Sequence, residues 1–274
     1  MTTASPNQPP EPHKAREAAE SFGVDAARYD RTRPGYPVEM IDRVIAAAPG
    51  RDFLDVGCGT GISSRGLQEA GCRVLGLDVD DRMADVARRK GLEVEVSRFE
   101  EWESDGRDFD AVVAAQTWHW IDPGAGAAKA ARLLRQGGIL AAVWNVAQPP
   151  PDLSRAFAEA SRRATPPETA AMLEKAGPEK TAMEGYRPMF DSAAEGIRDS
   201  GRFTDPAEWR TTWDREYTRD EWLDQLPTGG IYTRLPKSRL DRLLEAVGDV
   251  IDRAGGAFTV RYTTVAVTAF RHDA

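Results

Sequence analysis

Short apolar runs and stretches of helical periodicity alternate along much of this chain. Apolar runs at 52–57, 73–78, 92–97, 109–115 and 138–144 read as strands. The segments between them, near 60–70, 80–90 and 122–135, carry the mixed pattern of helices. Ala111–Ala115 and Ile139–Trp144 are apolar without a break, as strands buried on both faces should be. The alternation predicts a doubly wound α/β fold: a parallel sheet with helices on both faces. Upstream, 14–31 reads as an amphipathic helix with Phe22, Ala26 and Tyr29 on related turns. Arg33-Pro-Gly-Tyr-Pro37 breaks it, and 38–48 reads as a second helix closed by Pro49-Gly50. Beyond Trp144-Asn145 the pattern changes. Pro149-Pro-Pro151 opens a charged helical stretch over 152–200, with expected breaks at Pro166-Pro167, Gly177-Pro178 and Pro188. Strand character returns at 203–217 and 257–271, with helices near 218–226 and 236–254 between them.

Composition narrows the class. The chain has 274 residues, 41% hydrophobic and 29% charged, an ordinary globular balance. No run approaches the roughly 18 apolar residues of a membrane span, so no membrane partner is expected. The first residues are polar and proline-rich, without a signal peptide's apolar core, and 1–13 reads as a disordered tail. Cys58 and Cys72 make neither a disulfide framework nor a metal site, so no metal and a reducing cytoplasmic setting are expected. A net charge of −8, with arginines scattered among acids, disfavours a nucleic-acid partner, although a basic patch assembled in three dimensions stays open. Oligomeric state is not legible.

The chemistry concentrates at Asp55-Val-Gly-Cys-Gly-Thr-Gly61 and Leu75-Gly-Leu-Asp-Val-Asp80. Glycines at 57, 59 and 61 permit a sharp turn and close approach of a ligand to the backbone. The following helix is expected to direct unpaired N–H groups at that ligand. Asp78 stands 21 residues after Gly57, about the spacing at which a nucleotide-binding βαβ unit offers a carboxylate to a ribose diol. A dinucleotide fingerprint needs a third glycine where Ile62 stands, so a pyrophosphate ligand such as NAD(P) fits poorly. Open parallel sheets bind ligands beyond the carboxyl ends of their strands. Asp55, Gly57, Cys58, Gly59, Thr60 and Gly61 follow the first strand; Asp78, Val79 and Met83 the second; Phe99 and Glu100 the third; Gln116, Trp118, His119 and Trp120 the fourth.

The run D-V-G-C-G-T-G resembles the first motif of class I S-adenosylmethionine (SAM)-dependent methyltransferases. Phe22, Ala26 or Ala27, Tyr29, Arg33-Pro34 and Tyr36-Pro37 before the sheet resemble the broad small-molecule, trans-aconitate methyltransferase-like group. His119-Trp-Ile-Asp122 and Trp144-Asn145 extend that resemblance over residues 20–146. It implies SAM as cofactor and a seven-stranded, mostly parallel sheet whose last strand runs antiparallel, with an inserted helical cap. The implied division is a lid at 14–50, a SAM-binding core at 51–146, a substrate cap at 147–202 and completing strands and helices at 203–274.

The resemblance also implies that an acid after the third strand, Glu100 or its neighbour Glu101, meets the adenine amine, with Phe99 flanking the ring. Tyr29 and Arg33 would cover the methionine end. Candidate substrate residues are Tyr29, Trp118, His119, Trp120 and Trp144. His119 is the candidate catalytic residue, because an imidazole near neutral pH accepts a proton. The implied activity is methyl transfer to a small-molecule O, N or C atom, yielding S-adenosylhomocysteine (SAH). A nucleic-acid or protein methyltransferase and a non-enzymatic SAM-binding protein remain alternatives.

Overall fold

The computed structural model describes residues 21–164, 181–230 and 232–272. The expected tail at 1–13 and the breaks at 166–167 and 177–178 lie outside them. A 3₁₀ turn (Ser21–Asp25) leads into α1 (Ala26–Thr32), capped by the Asp25 side chain on Arg28 N, and then α2 (Val38–Ala47). The core alternates β1 (Asp52–Val56), α3 (Ile62–Glu69), β2 (Arg73–Asp78), α4 (Asp81–Arg89), β3 (Glu93–Val96) and β4 (Phe109–Ala115). A 3₁₀ turn (Trp118–Trp120), α5 (Pro123–Leu133) and β5 (Leu134–Gln148) follow. Next come α6 (Pro151–Ala164), α7 (Ala182–Asp199), β6 (Ala207–Thr218), α8 (Arg219–Gln225), α9 (Lys237–Arg253) and β7 (Ala257–Phe270).

The seven strands form one sheet in the order β3-β2-β1-β4-β5-β7-β6. β1 pairs parallel with β2 and β4, while β7 runs antiparallel between β5 and β6. Period-2 alternation sorts the strand side chains into two cores. Phe53, Ala111, Val113, Ile139 and Ala141 face α2, α3 and α4; Leu54, Val112, Ala114, Leu140 and Ala142 face α5 and α7. Both faces are apolar, which is why these strands read as unbroken runs. The β6–β7 hairpin continues past β5 as far as Thr218–Ala257. A third core of Tyr217, Trp222, Leu243, Val247, Phe258 and Tyr262 packs that overhang against α6, α8 and α9.

Pro188 does not end a helix: α7 runs through it. A capping box at Thr181 and Glu184 starts the helix, and Phe190, Ala193 and Ile197 are buried beyond the proline. That burial outweighs the hydrogen bond a proline removes. α7 crosses α5 closely at Gly196, where a Cβ would stand 2.5 Å from the Pro123 backbone, whereas a Cβ at Gly185 of the same helix meets nothing within 4 Å. Gly196→Ala is therefore expected to destabilise the protein by about 1–3 kcal/mol, because backbone cannot yield as a side chain does. Gly185→Ala is expected to stabilise it by roughly 0.5–1 kcal/mol. Urea unfolding of the two variants checks the opposite signs.

Candidate active site

β1 and β4 are adjacent, and their connections leave to opposite sides, so a crevice opens beyond their carboxyl ends. A cavity of about 720 Å³ fills that position, within the roughly 300–1,000 Å³ usual for small-molecule sites. Its floor is the glycine loop. Gly57 (φ +65°) and Gly59 (φ +56°) are left-handed, and a Cβ on Gly57 would lie 2.1 Å from the Thr117 side chain. Four of the loop's N–H groups are spent within the chain. Gly57 N and Cys58 N donate to Leu77 O (2.6 and 3.0 Å), Gly59 N to Asp78 Oδ2 (2.7 Å) and Gly61 N to Cys58 O (2.9 Å). These four N–H groups are therefore not available to a ligand, while Thr60, Ile62 and Ser63, where α3 starts, line the cavity beside them.

At the end of β2, Asp78 lines the cavity with Val79 and Met83. Its Oδ1 accepts from Asp80 N (2.9 Å) and its Oδ2 from Gly59 N. Burial raises its carboxyl above the usual range, opposed by these backbone N–H groups. Each oxygen keeps a second lone pair for a ligand hydroxyl. Phe99 and Glu100 stand beyond β3 at the same end. Glu101 is exposed and engaged by Arg98 (2.7 Å), while the half-buried Glu100 accepts from Asp122 N at 3.4 Å.

The N-terminal segment roofs the cavity with Phe22, Tyr29, Arg33 and Tyr36, and the Arg33 guanidinium lies 5.0 Å from the Tyr29 ring centroid. Beyond the ends of β4 and β5 the lining continues with Gln116, His119, Trp120 and Asn145, and with Tyr186 and Met189 of α7. Trp144 Nε1 donates to His119 Nδ1 (3.2 Å). Because an indole nitrogen only donates, His119 carries its proton on Nε2. Burial lowers its pKa to about 4. The expected general base is therefore a neutral imidazole whose acceptor nitrogen is already taken.

Four sequence candidates do not reach the cavity wall. Trp118 is buried against Phe99 and Gly126, since the 3₁₀ turn rotates it away from its neighbours and into the sheet-facing core. Trp144 lies wholly in the core against Phe190 and meets the site only through His119. Gly61 packs near Ala87 and Leu92 at the start of α3. Asp55 is sealed beneath the loop, its Oδ2 accepting from Ser63 Oγ (2.6 Å) and Ser64 Oγ (2.5 Å). Conversely, Phe22, Tyr36, Ser97, Arg98, Asn145, Tyr186, Met189, Gly229 and Gly230 line the cavity without having been singled out as site residues. Asn145 and Tyr36 sat inside quoted motifs; Gly229-Gly230 carried no signal at all. Among the described residues, no group of three or more His, Cys, Asp or Glu is placed to hold a metal ion, and no helix is long and apolar enough to cross a membrane.

Burial raises the Asp55 pKa from 3.8 to about 6, against the lowering effect of the two serine hydroxyls. The folded chain thus binds this proton more tightly than the unfolded chain. The resulting stabilisation is complete below about pH 4 and is lost as pH rises through about 6. Asp55→Asn, uncharged at any pH, is expected to flatten the dependence of Tm on pH between about 4 and 6. Thermal melts across that range check it.

The comparisons with known proteins agree with this geometry. Residues 54–142 match a family model described as a methyltransferase domain. An uncharacterized methyltransferase of Mycobacterium tuberculosis is 42% identical over 133 residues, covering 47% of this chain and 54% of that protein. A ubiquinone biosynthesis O-methyltransferase of Hahella chejuensis is 38% identical over 103 residues, covering 35% and 43%. The chain thus spans about half the length of these curated relatives. A methyltransferase structure from Anaeromyxobacter dehalogenans superposes with a TM-score of 0.60 at 22% identity, over 88% of this chain and 99% of that one. A Haemonchus contortus phosphoethanolamine N-methyltransferase, solved with phosphomonomethylethanolamine and SAH, gives a TM-score of 0.51 at 15% identity, over 92% and 58%. With its seven-stranded sheet and glycine loop, the chain carries a methyltransferase domain over residues 54–142, on the fold of the solved methyltransferases it superposes on.

Proposed function

We propose that this protein transfers a methyl group from SAM to a small-molecule acceptor. The observation that carries this reading is a strand-end carboxylate, Asp78, beside a glycine loop whose Gly57, Cys58, Gly59 and Gly61 N–H groups bond within the chain. That set suits a nucleoside without a pyrophosphate. Asp78 would hold the ribose hydroxyls, Val79, Met83 and Phe99 would enclose the adenine, and Glu100 would meet its amino group. Arg33 and Tyr29 would face the methionine end. When bound, SAM supplies a methyl group on a sulfonium, already activated for displacement.

The chain's own work is then alignment and exclusion of water. The roof of Phe22, Tyr29 and Tyr36 shields the cavity, and Tyr186 and Met189 from α7 close the acceptor end. His119 presents Nε2–H, held in that tautomer by Trp144, and orients the acceptor by donating to it. Among the described residues, the acids that line the cavity are Asp78, Asp80, Glu100 and Glu101, which follow the strand ends of β2 and β3. The acceptor is accordingly one whose attacking atom already bears a free lone pair near pH 7, any remaining proton leaving afterwards to water. The net charge of −8 favours a small molecule over a nucleic acid. Buried, unpaired Cys58 and Cys72 suit a reducing cytoplasm.

SAH is expected to bind with micromolar affinity and NADH not to bind; calorimetry with both distinguishes the cofactors. Asp78→Ala should weaken SAH by about 1.5–3 kcal/mol. With an acceptor in hand, His119→Ala is expected to lower kcat/KM by up to about tenfold, the scale of one lost hydrogen bond, with the pH–rate profile between 5 and 8 unchanged in shape. A loss of roughly 10²–10⁴ with disappearance of an acidic limb would instead mark His119 as a base.

A further inference from the structure

One side of the roof over the cavity is fastened by a part of the chain some 200 residues away. Arg28 Nε, on α1, donates to both the carbonyl (2.9 Å) and Oδ1 (2.8 Å) of Asp224, on α8. One turn along α1, Arg31 donates to Asp224 Oδ2 (Nε 3.2 Å, Nη2 2.9 Å). A single carboxylate therefore holds two guanidiniums through both of its oxygens. The attachment continues along the same seam. Arg33 Nη2 donates to Thr228 O (2.5 Å), Ser21 Oγ lies 2.8 Å from Thr233 Oγ1, and a Cβ on Gly230 would stand 3.0 Å from the Phe22 ring. Gly229 and Gly230, at the foot of this seam, line the cavity themselves. The seam also leaves Arg33 Nε and Gln225 Oε1 buried without hydrogen-bond partners. Such groups oppose closure, so the seam depends on the bonds it does make.

We propose that Asp224 is a positioning residue for the cofactor site: by clasping Arg28 and Arg31 it fixes α1 so that Tyr29 and Arg33 stand over the cavity. Arg28 and Arg31 bracket Tyr29 in sequence, and Arg33 is the first residue after α1. Rotation or fraying of this two-turn helix moves both roof side chains together. α1 has only seven residues, too few to persist without tertiary support. Its other anchors are Asp30, which meets Arg65 and Lys90 of the core, and an apolar cluster in which Phe22, Ala26 and Tyr29 pack against Met83 and Val86 of α4. Asp30 thus ties α1 to the sheet layer, while Asp224 ties it to the C-terminal lobe, so the clasp joins the two parts of the wall. The claim about the site rests on the SAM reading; the claim about the clasp does not.

The test compares wild type with Asp224→Ala, Asp224→Glu and Arg28→Ala/Arg31→Ala. Hydrogen exchange in the ligand-free protein is expected to quicken over residues 21–33 in Asp224→Ala, with β1 and β4 unaffected and Tm nearly unchanged. SAH dissociation, followed by stopped flow, is expected to speed up about three- to tenfold, the scale of two partly exposed ion pairs. Combining Asp224→Ala with the double arginine variant should add nothing further, since both break the same bonds. Asp224→Glu should recover most of the slow dissociation. Unchanged exchange over 21–33, or looser exchange with wild-type SAH dissociation, overturns the proposal. A wild-type protein that fails to take up SAH, while Asp224→Ala still loosens 21–33, overturns the cofactor reading and leaves the clasp supported.

Discussion

Three strand ends meet at the reversal of Gly57. Its N–H and that of Cys58 both close on the carbonyl of Leu77, tying the end of β1 to that of β2. Its carbonyl accepts from Thr117 Oγ1 (3.0 Å), tying β1 to the turn after β4. The Thr117 side chain occupies the space a Cβ on residue 57 would take, and the backbone there is left-handed. Only glycine meets both conditions. Because the cavity opens where these ends diverge, its floor, Asp78 and the Gln116–Trp120 wall all depend on that one residue.

Above this floor the polar groups are divided unevenly. The side at the ends of β2 and β3 holds carboxylates, with Asp78 braced by backbone N–H groups and Glu100 set beside α5. The opposite end holds Arg33, neutral donors and aromatic surface. His119 belongs to the second set: burial lowers its pKa to about 4, and its Nδ1 accepts from the Trp144 indole. In the proposed methyl transfer the donor is already activated, so a wall that orients without abstracting protons would be sufficient.

The glycine loop, Asp78 and the five parallel strands were legible because each rests on local rules: period-2 alternation, steric freedom at glycine, and a fixed spacing across one βαβ unit. The tryptophans were not. Trp118 and Trp120 look equivalent in sequence, but a 3₁₀ turn sends successive side chains in different directions, so one enters the core and the other the cavity. Trp144 and Asn145 alternate on β5. Trp144 points to the α5–α7 core, while Asn145 donates to Gly35 O and accepts from Thr264 at the site's edge.

By itself, then, the sequence determined the order of strands and helices, the turn at Gly57 and the carboxylate 21 residues on. Tertiary packing decided which distant segments share the cavity. Tyr186 and Met189 arrive because α7 packs across α5 at Gly196, and burial carries that helix through Pro188. Gly229 and Gly230 arrive because the β6–β7 overhang builds its own core and sets α8 against α1. Separations of 70 to 200 residues leave no periodic trace in a chain, because periodicity records only which face of an element is buried, not what buries it.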